Sequence, residues 1–151
     1  MSGSRGSAQT DANRRLAMVW GDDDTVKDPT GATYPASSQA AAPAKKQTAD
    51  RDSLYTYYKK VIMIRKANPE IARGDYSALT LPGTKVGGFT STWNGSTVCV
   101  LHNTTTDEQR LDLKALGLDR FTVLSAAVGM NDAKLDGTTL ILGGQTSVIL
   151  R

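Results

Sequence analysis

The chain has 151 residues, of which 39% are hydrophobic, and 18 basic against 15 acidic side chains give it a formal net charge of +3. This length suits one ordinary domain, but the hydrophobic fraction is low for a chain that is globular throughout, so we expect part of it to lack a core. The basic residues are scattered and form no stripe, which argues against nucleic-acid binding. No apolar run approaches the roughly 20 residues that cross a bilayer, so no membrane span is expected.

Residues 1–49 are rich in Ser, Gly, Ala, Asp and Thr. Such a segment cannot bury enough apolar area to offset the entropy lost on ordering, so we predict a largely irregular arm. Its one apolar cluster, Leu16–Trp20, would need a partner surface to become ordered. The run Asp22–Asp24 could supply oxygen ligands to a cation only with further ligands from elsewhere, and we favour a solvated acidic loop.

Residues 50–74 predict a helix followed by a short turn. Asp50 or Asp52 is expected to cap the start of the helix, where an acidic side chain can accept a hydrogen bond from a free backbone N–H. Pro69 ends the helix, because the residue before a proline is disfavoured in the α conformation. The apolar side chains spread over a broad face, as in a helix buried against a broad surface: Leu54, Tyr57, Tyr58, Val61, Ile62 and Ile64.

Residues 75–151 show the period of strands. Asn94–Gly95 predicts a two-residue hairpin, because both central residues of a type I′ turn need positive φ. The run Val98–His102 is apolar on both faces and predicts a central strand. We predict seven short strands in an antiparallel sandwich: Tyr76–Leu81, Val86–Trp93, Ser96–Asn103, Gln109–Asp112, Phe121–Val128, Thr138–Leu142 and Ser147–Leu150.

The expected fold class is therefore mainly β. It consists of an antiparallel, Greek-key-like β-sandwich C-terminal domain, preceded by one α-helix and a largely irregular N-terminal arm.

Few side chains offer chemistry. Cys99 is the only cysteine, which excludes an intrachain disulfide and a Cys-based zinc site and makes a small core residue the simplest interpretation. Gly3 and Gly6 lack the strand and the Gly-Lys-Ser/Thr of a phosphate-binding loop. His102 is the only histidine and could anchor a Ser-His-Asp or Cys-His arrangement, but its place on a strand favours a structural role. No cofactor, metal site or catalytic residue is predicted.

Three aromatic residues, Tyr76, Phe89 and Trp93, could present a stacking face to sugar rings. The alternative is that they pack in the core or over the hairpin, which is commoner for strand aromatics and which we favour.

The order of motifs resembles the C-terminal part of α-amylase family glycoside hydrolases. Ser53–Pro69 follows the pattern S-x-x-x-Y-Y-K-x-x-x-x-x-R-x-x-N-P of the last barrel helix, and GDY follows it as a strand entry. Arg15–Trp20, RLAMVW, is similar to the R-x-P-M-x-W segment after the eighth barrel strand, with Ala17 in place of the proline. GDYSAL, GGFTSTWNGSTVCVLHNTT and GTTLILGGQTSVILR resemble the C-terminal domain in order and spacing.

The resemblance implies three parts: the loop after the eighth barrel strand (1–49), the last barrel helix and its turn (50–74), and the β-sandwich domain (75–151). It implies a parent enzyme that hydrolyses α-glucosidic bonds of starch-like glucans with retention, through a covalent intermediate. The catalytic carboxylates would come from barrel strands before Met1, so we expect this chain alone to be inactive and its β-domain to be mainly structural. Arg15 and Trp20 would contact substrate at the outer cleft, Arg15 by hydrogen bonds and Trp20 by packing.

The partners implied are the missing catalytic barrel and an α-glucan. An alternative is a stand-alone carbohydrate-binding β-module, and a third is an assembly domain without a sugar role. The first ten residues lack the apolar core of a secretory signal, and a secreted parent would carry its signal upstream, so localisation stays open.

Overall fold

The structure, a computed structural model, describes residues 10–21, 28–33 and 42–151. The acidic loop Asp22–Asp24 and the glycines Gly3 and Gly6 lie outside these residues. The chain divides into two compact units, Met1–Tyr58 and Lys59–Arg151.

The described part of the arm contains two short helices, α1 (Thr10–Arg14) and α2 (Ala44–Ala49). The apolar segment Leu16–Trp20 meets the start of α2, because the carbonyls of Val19 and Trp20 accept hydrogen bonds from the N–H groups of Ala44 and Lys45 at 2.9 and 2.8 Å. This segment therefore finds its backbone partner within its own unit, in a helix that composition alone did not indicate.

A longer helix, α3 (Leu54–Ala67), is followed by the one-turn helix α4 (Pro69–Arg73), and Pro69 separates them as predicted. The predicted caps are wrong. Ser53, the residue before α3, caps the helix instead, because its Oγ accepts a hydrogen bond from the N–H of Thr56 at 3.2 Å. Asp50 instead closes α2, since its N–H donates to the carbonyl of Lys46 at 3.1 Å.

Eight strands among the described residues form two antiparallel sheets. They are β1 (Asp75–Ala78), β2 (Val86–Trp93), β3 (Ser96–Asn103), β4 (Gln109–Asp112), β5 (Leu124–Gly129), β6 (Ala133–Asp136), β7 (Thr139–Leu142) and β8 (Thr146–Leu150). One sheet has the order β1-β2-β3-β8-β5, and the other has the order β4-β7-β6. The mainly β, antiparallel fold class is confirmed.

The hairpin between β2 and β3 forms as the sequence predicts. Asn94 and Gly95 have φ values of 49° and 78°, and Trp93 pairs with Ser96. The prediction omits β6, a four-residue edge strand in which exposed charged residues alternate with half-buried apolar ones. Gly137, with φ of 58°, opens the two-residue loop that joins β6 to β7 and was the available signal.

The five-stranded sheet carries a hydrophobic core on each face. One face packs against the three-stranded sheet in the larger core, to which β3 and β8 contribute Leu101 and Leu150 and β7 contributes Leu140 and Leu142. Cys99 lies in this core, and burial raises the pKa of its thiol to about 12. Its role as a small core residue is confirmed. The central position predicted for Val98–His102 is also confirmed, because β3 lies third of five strands.

The opposite face of this sheet carries a smaller core of Val98, Val100 and Ile149. Ile64 near the end of α3 and Ile71 in α4 pack against it. The two helices therefore cover part of this face, and Phe89 and Ala126 of the sheet also pack against the smaller core.

A buried ion pair holds α4 on that face. The carboxylate of Glu70 accepts hydrogen bonds from both terminal nitrogens of Arg151, at 2.8 and 3.0 Å. Ser96 Oγ donates to the same carboxylate at 2.6 Å, and Arg151 also donates to Asn68 Oδ1 at 3.0 Å. Ser91 Oγ donates to the Glu70 carbonyl at 2.6 Å. Only 3% of the Glu70 side chain is exposed, so this paired geometry offsets a large desolvation cost.

We predict that Glu70→Gln lowers the free energy of unfolding by about 1–3 kcal/mol, because it removes a charge-assisted bidentate pair from a buried site. Urea denaturation of the full chain measures the change. Glu108→Gln is the matched control, since Glu108 pairs with Arg110 at 3.0 Å but is half exposed. An exposed pair of this kind contributes less than about 1 kcal/mol. Equal losses in the two variants would contradict the prediction.

The pH dependence should follow from the same group. The hydrogen bond from Arg151 lowers the pKa of Glu70 from its ordinary 4.5 to about 2, although burial acts in the opposite direction. A carboxylate with a depressed pKa in the folded state stabilises the protein above its unfolded pKa. We therefore expect this contribution to disappear as the pH falls from about 5 to about 2. Denaturation curves should converge with those of Glu70→Gln over that range, whereas a constant difference would refute this assignment.

Candidate functional site

A shallow pocket lies on the face of the five-stranded sheet that carries the smaller core. Its volume is about 410 Å³. Strand register places its side chains on one face, since Gly87 pairs with His102 and His102 pairs with Ser147. The lining residues are Tyr76, Gly87, Gly88, Phe89, His102, Thr104 and Ser147.

Two aromatic rings form one wall of this pocket. The centroid of the Tyr76 ring lies 4.9 Å from that of Phe89, and Phe89 lies 6.1 Å from the His102 ring. Phe89 is half-buried against the smaller core, whereas Tyr76 is 66% exposed. Phe89 thus follows the packing interpretation, and Tyr76 instead presents its ring to solvent.

Trp93 does not belong to this wall. The Arg73 guanidinium lies 5.4 Å from the centroid of its ring, a distance typical of a cation–π contact. Trp93 is therefore a half-buried cover at the β2–β3 hairpin, next to the end of α4.

His102 forms the polar side of the pocket. Its Nδ1 lies 2.8 Å from Ser147 Oγ, which supplies the hydrogen-bond partner that a structural histidine requires. Burial lowers the pKa of His102 below its ordinary value, so the ring is neutral at pH 7. Ser147, 45 residues away, could not be assigned to His102 from sequence, because their contact depends on the pairing of β3 with β8.

The two adjacent glycines have opposite roles. A Cβ built on Gly87 would meet no atom within 4 Å, so the missing side chain is what leaves the pocket open. A Cβ on Gly88 would lie 2.5 Å from the Val100 carbonyl oxygen, so Gly88 permits the close approach of β2 and β3.

Arg15 and Trp20, the substrate-contact residues expected from sequence, lie in the N-terminal unit. Arg15 forms an exposed ion pair with Asp11 at 3.1 Å. The Trp20 side chain is 64% exposed, although its carbonyl is held by α2. Both side chains are thus presented to solvent.

Within residues 10–21, 28–33 and 42–151, no group of three or more His, Cys, Asp or Glu side chains is placed to hold a metal ion. In the same part of the chain, no helix is both long and apolar enough to span a membrane.

The chain is similar in structure to Amy13B of Eubacterium rectale, with a TM-score of 0.80 and 30% sequence identity. The match covers 97% of this chain and 29% of Amy13B. The chain has the C-terminal architecture of the α-amylase family. It therefore represents less than a third of the length of such an enzyme.

Other α-amylase family structures show the same fold at lower identity. Trehalulose synthase MutB from Pseudomonas mesoacidophila MX-45 matches with a TM-score of 0.58 and 22% identity, over 72% of this chain and 19% of MutB. A MutB variant in complex with Tris matches with a TM-score of 0.68 at 22% identity, over 91% of this chain and 25% of MutB. Neither a protein-family model nor a curated protein sequence matches this chain.

The glycine pair generates a direct prediction. Gly88→Ala should lower the free energy of unfolding by about 1–3 kcal/mol, because the added methyl group overlaps the neighbouring strand. Gly87→Ala should leave stability unchanged or raise it by up to about 1 kcal/mol, since the methyl enters open space and the unfolded chain loses freedom. Thermal and urea unfolding of the two variants test this contrast. A larger loss at Gly87 than at Gly88 would contradict it.

Proposed function

We propose that this chain is a non-catalytic portion of an α-amylase family glycoside hydrolase acting on α-glucans, in which α3 packs on the catalytic barrel. The observation that carries the proposal is the surface of α3. None of its 14 residues is buried, although the helix contains several large apolar side chains.

The exposed apolar residues of α3 form a stripe. Leu54, Tyr58 and Ile62 recur every four residues, which places them on one side of the helix. Each is more than half exposed, as is the neighbouring Met63. Burial of a single Leu or Ile side chain contributes about 1.5–3 kcal/mol, so a stripe of this size left in water favours a missing partner surface.

The helix is also held in a way that suits docking. Ile64 packs against the smaller core of the sheet, and it lies two residues, or about 200° of helical turn, from Ile62. The side that carries Ile62 therefore points away from the sheet. The ion pair of Glu70 and Arg151 fixes α4, which directly follows α3. The β-sandwich thus acts as a rigid support for this end of the helix.

The likeness to α-amylase family enzymes supports an α-glucan substrate, and the exposed Trp20 and Arg15 of the N-terminal unit are suited to contact it. Within the intact enzyme, Trp20 packs against a glucose ring and Arg15 donates hydrogen bonds at the outer cleft. Arg15 suits this role because its guanidinium carries five N–H donors, more than its ion pair with Asp11 uses.

If α3 packs on a catalytic barrel, that barrel should be encoded next to this chain and should bind it. The coding sequence upstream of Met1 should encode, in the same reading frame, a barrel with the catalytic carboxylates. When that barrel is expressed together with this chain, the two should copurify and release reducing sugar from starch. Ile62→Asp should reduce copurification at least about tenfold, because it places an unpaired charge in the contact.

Met130→Asp is the matched control, since Met130 is the more exposed of the two apolar residues and directly follows β5 of the β-sandwich. This variant should copurify as the parent does. An upstream region without a barrel, full retention of Ile62→Asp, or sugar release by this chain alone would overturn the proposal.

For the cleft contacts, Trp20→Ala in the intact enzyme should raise KM for maltoheptaose about two- to tenfold with little change in kcat, because the stacking contact is made equally in ground and transition states. Arg15→Ala should act in the same direction. Met18→Ala provides the control, as Met18 is exposed on the same segment. Steady-state kinetics with unchanged KM for Trp20→Ala would remove this residue from the site.

A further inference from the structure

We propose that the pocket bounded by Tyr76, Phe89 and His102 binds a hexopyranose ring of an α-glucan, at a site on the β-sandwich itself. The choice of an α-glucan over other neutral saccharides rests on the proposed function. The existence of the site rests on its own geometry.

The shape of the pocket comes from an aromatic wall, formed by Tyr76 and Phe89, and from a floor at Gly87 that no side chain fills. Tyr76 is exposed to solvent, and its ring contacts that of Phe89, with the centroids 4.9 Å apart and the planes tilted by 43°. Gly87 leaves the floor empty between the aromatic wall and His102. The volume of about 410 Å³ lies in the range of small-molecule sites, about 300–1,000 Å³.

The chemistry of the lining selects a neutral, polyhydroxylated ring. None of the seven lining residues is Lys, Arg, Asp or Glu, so the pocket offers no counter-charge to an ion. An exposed phenol ring provides an apolar face, against which the C–H face of a pyranose can stack. The polar groups of the lining are the imidazole of His102 and the hydroxyls of Thr104 and Ser147, which exchange hydrogen bonds with sugar hydroxyls.

The position of His102 is set before a ligand arrives. The contact between its Nδ1 and Ser147 Oγ fixes the orientation of the ring, and this leaves Nε2 as the ring nitrogen available to a ligand. A neutral imidazole held in this way can donate or accept one hydrogen bond at Nε2, as its tautomer requires. The wall and the polar side thus form a site that needs little reorganisation to bind.

Titration of the full chain with maltoheptaose tests this proposal. Because His102 is the only histidine, its Cε1–H resonance reports on the pocket without further assignment. Maltoheptaose should shift this resonance saturably, with weak affinity in the millimolar range, about 4 kcal/mol of binding free energy. Cellohexaose, a β-linked glucan, serves as the comparison ligand.

Two variants locate the binding. Tyr76→Ala removes the stacking ring and should weaken binding about fivefold or more. Gly87→Leu fills the floor and should abolish the response, and the open space around its Cβ keeps the sheet intact. Tyr55→Ala is the control, because Tyr55 is an exposed tyrosine on α3 and should leave the titration unchanged.

The outcomes separate this proposal from barrel docking. The absence of a shift with either sugar, or a shift that Tyr76→Ala and Gly87→Leu leave unchanged, overturns the site. An equal or stronger response to cellohexaose overturns the α-glucan assignment. Copurification of the barrel is measured independently through Ile62→Asp, so a failed titration leaves the docking proposal standing and a failed copurification leaves the pocket standing.

Discussion

The arrangement of the helices on the sandwich depends on one buried ion pair. Glu70 and Arg151 are 81 positions apart. Their contact therefore holds α4 against the residue that follows β8. A carboxylate removed from water in this way is tolerated only while its oxygens remain paired. Asn68, the residue between α3 and α4, shares the same guanidinium. The ion pair therefore also anchors the residue that follows the long helix, at the break that Pro69 imposes.

The five-stranded sheet uses its two faces differently. One face is covered by the second sheet, and β3 contributes Cys99 and Leu101 to the core between the two sheets. On the other face, Val98 and Val100 of β3 lie in the smaller core against which the helices pack, and His102, further along the strand, lines the pocket. The change from valine to histidine marks the boundary between covered and open surface. One strand thus carries both the residues that support the helices and a residue of the polar pocket.

Local rules account for much of the fold. Asn94–Gly95 fixed the bounds of β2 and β3 because that turn has few alternatives, and Pro69 located the break between the helices for a similar steric reason. The rules failed where two acceptable signals competed. Asp50 is a good cap residue, but Ser53 stands nearer the first apolar turn, and Asp50 is already used by α2.

The site itself was largely invisible in the sequence. The sequence marks Tyr76, Phe89 and His102 individually, but their proximity depends on the register between strands that are distant along the chain, which is a tertiary property. Nothing in the local sequence distinguishes Gly87, which borders empty space, from Gly88, which lets two strands approach closely. The sequence likewise gives no indication that Glu70 and Arg151 pair, because they are 81 positions apart and meet only in the folded chain.

The emptiness above Gly87 has an evolutionary consequence. Glycine and valine codons differ by a single base, and valine suits a strand at least as well as glycine does. One substitution would therefore fill the pocket without disturbing the sandwich, and the reverse substitution would open it. The pocket can be gained or lost among relatives that keep the same fold, independently of the divergence of the rest of the chain.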